Sequence, residues 1–153
     1  MISEQQTMNN PDIFVTNSSR QTQKMGELLA TELHSREIIC LTGDLGSGKT
    51  TFAQGVLKGL GAKGPYTSPT FVVMKQYKRK ATSQNSKLES VYHIDAYRVG
   101  PKDVLDLGWE EIIVGENNVV IIEWAERVKA IIPKSAVWIK FEHLKEDERK
   151  III

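Results

Sequence analysis

The stretch "EIICLTGDLGSGKTTF", residues 37–52, decides how this chain folds. Residues 37–42 are a short, mostly apolar run, the pattern of a strand buried on both faces. From Lys49, "KTTFAQGVLKGLG" reads as a helix stopped by Gly61. Between them lie Gly43, Gly46 and Gly48, residues ill suited to either element. Together, Gly43-Asp44-Leu45-Gly46-Ser47-Gly48-Lys49-Thr50 fits G-x-x-x-x-G-K-[ST]. Side chains would block the curl that turns successive backbone N–H groups toward one centre, and glycine removes them. The helix N-terminus adds its partial positive charge at the same spot. Lys49 is then placed to reach β- and γ-phosphates, and the Thr50 hydroxyl to ligate Mg²⁺. A chance match in a chain of this length has odds of roughly half a percent, and this one also sits between a strand and a helix, as the motif requires. Asp44, Leu45, Gly46, Ser47, Gly48, Lys49, Thr50 and the adjoining Thr51 are therefore the candidate nucleotide-binding residues.

The 153 residues suit one domain, with a polar N-terminus at 1–11 expected to be disordered and a single domain over 12–153. A hydrophobic fraction of 41% and a charged fraction of 25% are ordinary for a globular chain. A net charge of +1 argues against strong independent binding of nucleic acid or acidic lipid. The N-terminus lacks the basic and apolar segments of a signal peptide, and no apolar run reaches about 18 residues. With one cysteine, Cys40, no internal disulfide can form, which is consistent with a cytoplasmic protein.

Residues 12–16 read as a strand. A helix follows from Ser18, capped by that serine with Gln21 three residues on, and Met25, Leu28, Leu29 and Leu33 share one face. "TFVVMKQY" (70–77) and "LESVYHIDAYRV" (88–99) read as strands around a polar loop, and "GPKDVLDLGWEEIIV" as short helices. "NVVIIEW" is another buried strand, "AERVKAII" a helical turn or two, and "SAVWIKFEH" with "RKIII" a hairpin. The fold expected is α/β: a three-layer sandwich of the P-loop NTPase type, its mixed, largely parallel central sheet flanked by helices.

Further candidates lie outside the loop. "VVIIEW" puts Glu123 at the carboxyl end of a buried strand, where parallel sheets place their ligands and where an acid can hold Mg²⁺. In "VYHIDAYRV", alternation sets His93, Asp95 and Tyr97 on one face. Asp95 there suits either hydrolysis or the exposed side of a sheet. In "TSPTF", Pro69 holds Ser68 extended, which fits entry into a strand as well as a Thr70 that senses a γ-phosphate.

Taken in order, "GDLGSGKTTF", "SPTF", "YHIDAYR", "LGWEE", "IIEWAERV" and the late Arg149 resemble the TsaE (YjeE) family, from about Ser18 to the C-terminus. The resemblance implies a bacterial cytoplasmic ATPase, weak alone, of tRNA threonylcarbamoyladenosine synthesis. It implies ATP and Mg²⁺ as cofactors and the TsaB–TsaD complex as partner, with tRNA met only indirectly and no membrane. Carried over, Lys49 holds phosphates, Thr50 and Glu123 hold Mg²⁺, and hydrolysis depends on Asp95 and Thr70. Trp124 lies beside the nucleotide and Arg149 near the base. Ser47, Ala125 and Trp109 depart from the family pattern without removing a needed group.

Three rivals remain at this point. A small-molecule kinase would carry an arginine-rich helical insertion after the first helix of the motif, and none is seen. A GTPase would carry N-K-x-D, which is absent. A non-catalytic nucleotide-binding module would keep the loop and use Asp95 only structurally.

Overall fold

In the computed structural model, residues 10–80 and 87–153 are described. The expected disorder at 1–11 falls almost wholly outside them, as does the middle of the polar loop before residue 88. Seven strands form one sheet: β1 (Ile13–Thr16), β2 (Ile38–Thr42), β3 (Met74–Lys78), β4 (Ser90–Asp95), β5 (Asn118–Glu123), β6 (Val137–His143) and β7 (Arg149–Ile152). Their order is β1-β7-β6-β2-β5-β4-β3. The four central strands, β6, β2, β5 and β4, run parallel. At the edges β7 pairs antiparallel with β6, β1 with β7, and β3 with β4.

Helices α1 (Ser19–Ala30) and α2 (Lys49–Gly59) lie on one face. Helices α3 (Pro101–Leu105) and α4 (Trp109–Val114), with a 3-10 segment at Ala125–Ile131, lie on the other. Alternation along the strands divides the core accordingly. Ile39, Leu41, Val91, Val119 and Ile121 pack against Phe52, Val56 and Leu57 of α2. Ile38, Cys40, Ile94, Val120 and Ile122 pack against Val104, Trp109 and Val128. Coverage on both faces is why β2 and β5 are continuously apolar. Trp109 anchors the second layer, with its ring buried and its Nε1–H donating to the Ile131 carbonyl at 3.1 Å. The three-layer α/β architecture with a mixed sheet is thus the one the sequence predicts.

Two local expectations differ. The α1 cap forms as read, since Ser18 Oγ accepts from the Gln21 N–H at 3.1 Å. The buried helical positions, however, are Thr22, Gly26 and Ala30, while Leu28 is 52% exposed. The cause is the closeness of α1 to α2. A Cβ added at Gly26 would lie 2.2 Å from the Phe52 carbonyl oxygen, and one at Gly55 lies 2.0 Å from that of Gln23. The backbones themselves touch, so the small residues take the contact and Leu28 is displaced to the surface, while Met25, Leu29 and Leu33 pack into the core as read.

The second difference is that residues 70–73 are not strand. The Pro69 carbonyl accepts from Val72 N–H at 3.1 Å and from Val73 N–H at 2.7 Å, closing a turn. Val73, at φ 69°, ends it in the left-handed region before β3 starts at Met74. Thr70 therefore rides on a turn at the sheet's edge, not within a strand.

Candidate functional site

Parallel pairing of β2, β5 and β4 brings three carboxyl ends together. Leu41 is in register with Glu123, and Glu123 with Asp95. The glycine loop leaves β2 there and enters α2. Gly43 at φ 140° and Gly48 at φ 102° hold left-handed conformations that a side chain resists, and a Cβ on Gly43 would also stand 2.4 Å from the Phe141 carbonyl oxygen. The result is a cleft of about 400 Å³ lined by the loop from Leu45 to Thr51 together with residues of five other segments.

Lys49 lies deep in it, only 4% exposed. Its ammonium donates to the Gly43 carbonyl, to the Asp44 carbonyl at 2.9 Å and to Ser47 Oγ at 3.4 Å, and it stands 4.0 Å from the Trp124 ring centroid. Burial pulls this ammonium below the ordinary lysine pKa, against the opposing charge of Glu123, Glu126, Asp44 and Asp95. A partly desolvated cation held by carbonyls is poised for a stronger anionic partner.

Beside it, Thr50 Oγ1 donates to Glu123 Oε1 at 2.6 Å, joining the start of α2 to the end of β5. The other carboxylate oxygen, Oε2, is 2.6 Å from His93 Nε2, with both side chains buried at 2% and 0% exposure. On the neighbouring strand Asp95 Oδ2 accepts from Thr70 Oγ1 at 3.0 Å, and its Oδ1 accepts from the Tyr97 N–H at 2.9 Å. Asp95 is thus a buried carboxylate at the site, which decides against the exposed-face reading. Ser68 Oγ lies 2.6 Å from Thr70 Oγ1 and braces the turn.

Trp124 follows Glu123 at φ 56° and ψ 37°, a left-handed conformation uncommon for a bulky side chain. That reversal turns its ring over Lys49 and against Tyr97, with ring centroids 4.9 Å apart. Arg127 lies over both rings, at 5.1 Å from Tyr97 and 5.5 Å from Trp124. Arg149 also lines the cleft, and its Nη1 donates to the carbonyls of Glu146 and Glu148. Its side chain borders Gly48.

All the residues singled out from the sequence therefore come together here, apart from the Asp44 side chain, which contributes its carbonyl. Sequence reasoning missed Ser19, Thr22 and Asp147 of the cleft wall. It also missed the role of His93 beneath Glu123, although the alternation that put His93 on the face of Asp95 was a signal for it. Among the described residues no three His, Cys, Asp or Glu side chains converge to hold a metal. The donor set, Thr50 hydroxyl with Glu123 carboxylate, fits Mg²⁺ instead, because that ion takes one or two protein oxygens and completes its shell with water and phosphate. No helix among the described residues is long and apolar enough to cross a membrane.

Residues 16–151 match the family model of the threonylcarbamoyl adenosine biosynthesis protein TsaE. The chain is 34% identical over 139 residues to a tRNA threonylcarbamoyladenosine biosynthesis protein TsaE of Rickettsia felis, covering 90% of this chain and 76% of that one. It is 33% identical over 140 residues to the corresponding protein of Treponema pallidum, covering 91% and 97%. The crystal structure of Bacillus subtilis YdiB superposes with a TM-score of 0.75 at 29% identity, covering 94% of this chain and 84% of that one.

Proposed function

This chain belongs to the TsaE family, and we propose that it binds and hydrolyses ATP in the service of tRNA threonylcarbamoyladenosine biosynthesis, acting in the cytoplasm on the TsaB–TsaD complex. The observation that carries this reading is the convergence, in one cleft, of Lys49, the Thr50–Glu123 pair and the Thr70–Asp95 pair. Backbone amides of the loop and Lys49 hold the β- and γ-phosphates, and Thr50 with Glu123 holds Mg²⁺. When bound, the metal neutralises charge on the phosphates. Asp95, fixed by Thr70 and the Tyr97 N–H, orients water in line with the γ-phosphate. Trp124 closes one side of the nucleotide, and Arg149 lies toward the base.

The catalytic parts are positioning and electrostatic groups, which suits phosphoryl transfer. Arg98 lines the cleft, with its guanidinium 5.2 Å from the Phe71 ring. An arginine supplied in trans by the partner complex accounts for weak turnover alone, since such a group is worth about 10³–10⁵ in rate. tRNA meets the chain only through that complex.

Single-turnover hydrolysis with and without TsaB–TsaD tests the reading. Phosphate should be released to water, and faster with the complex. Asp95→Ala should abolish turnover and leave nucleotide affinity within a few-fold, whereas Lys49→Ala should weaken binding itself. Calorimetry that detected no uptake of Mg²⁺–ATP, alone or with the complex, would sink it.

A further inference from the structure

His93 is a buried ionisable side chain beside the site that the proposed mechanism leaves unused. It sits on β4 two residues before Asp95, between Val91 and the cleft, beneath the layer formed by α2. Nothing of it is exposed, and among the described residues its Nδ1 has no hydrogen-bond partner. An apolar side chain would fill this place without the unpartnered Nδ1, but it would leave the buried Glu123 Oε2 without the donor it has here. The imidazole makes a single polar contact, Nε2 to Glu123 Oε2 at 2.6 Å. A carboxylate only accepts, so Nε2 carries the proton and donates.

Glu123 consequently has its two oxygens committed differently: Oε2 is held in the protein interior by His93, and Oε1 faces Thr50 and the cleft. Without that donor, rotation about the last side-chain bond would let both oxygens face the cleft. We propose that His93 is a positioning residue that makes Glu123 a one-oxygen ligand, and thereby sets the preference of this site for Mg²⁺ over Ca²⁺. Mg²⁺ demands a compact octahedron at about 2.1 Å and is satisfied by one carboxylate oxygen, whereas Ca²⁺ accepts both oxygens of a carboxylate in a larger shell. Outer contacts of this kind govern the metal affinity of the ligand they orient.

This inference rests on the nucleotide reading above, and the experiment separates the two. Binding of a fluorescent ATP analogue is measured for wild type, His93→Leu and His93→Gln, each with Mg²⁺, with Ca²⁺ and with chelator. Wild type should favour Mg²⁺. His93→Leu should lose about 10- to 100-fold of the Mg²⁺-dependent affinity, keep its metal-free affinity within about twofold, and shift its Mg²⁺/Ca²⁺ ratio toward Ca²⁺. His93→Gln, whose amide can donate from a similar position, should recover most of the wild-type ratio. A folded His93→Leu with an unchanged ratio overturns the inference and leaves the ATPase reading intact; wild type that binds no nucleotide with any metal removes both. Should His93→Leu fail to fold, ¹⁵N-histidine NMR of the wild type decides: a proton on Nε2 supports the geometry, and one on Nδ1 alone overturns it.

Discussion

Replacing Gly55 with alanine sets two effects against each other, and the structure says which wins. In an unobstructed helix alanine is better than glycine by about 1 kcal/mol. Here the added Cβ would lie 2.0 Å from the Gln23 carbonyl oxygen, 1.4 Å short of the 3.4 Å at which ordinary contact begins. The obstacle is backbone, so no rotamer change relieves it, and α1 must withdraw from α2. Overpacking in cores costs about 1–3 kcal/mol and more when the backbone must move. The net expectation is a loss of about 2 kcal/mol or more, which for a chain of this size lowers the thermal midpoint by about 4–8 °C. Thr22 of α1 also packs beside Gly48 of the loop, so nucleotide affinity should fall with it. Gly26→Ala, whose Cβ would stand 2.2 Å from the Phe52 oxygen, should behave alike. The double variant should lose less than the sum, because one withdrawal relieves both clashes. Thermal and urea unfolding of the three variants check this. A midpoint unchanged or raised in Gly55→Ala would refute the claim that the two helices meet backbone to backbone.

Two further outcomes follow from burial. Lys49 has its pKa lowered from the ordinary 10.5 by burial, so between that lowered value and 10.5 the unfolded chain binds more protons than the folded one. The stability of the wild type relative to Lys49→Met should therefore rise with pH through that window, as urea unfolding from about pH 8 to about 10.5 would register; a pH-independent difference contradicts it. Cys40 is fully buried and its thiol is pushed up to about 12. It should resist iodoacetamide in the native state and react once guanidinium unfolds the chain, and labelling of the native protein at the rate of a free thiol would count against its placement.

What was legible in the sequence is local. The loop from Gly43 to Thr50, the strand before it and the helix after it follow from residues adjacent in the chain, because steric freedom and hydrogen-bonding geometry act over a few residues. The Ser18 cap and the continuous apolar runs of β2 and β5 belong to the same class. Position at a strand end was enough to single out Glu123, and alternation was enough to group His93 with Asp95. It could not say whether that group faced solvent or a site. That was settled by parallel pairing of β4 with β5, which sets Asp95 beside Glu123 across 28 residues of chain and lays His93 against the carboxylate. Likewise, helical periodicity assigned Leu28 to the core, whereas the approach of α1 to α2 through Gly26 and Gly55 put it at the surface. Sequence alone thus determined which chemical groups this protein has and the conformation of the loop that presents them. Tertiary structure decided which of those groups meet, because register and helix approach depend on the packing of distant segments, which no local pattern encodes.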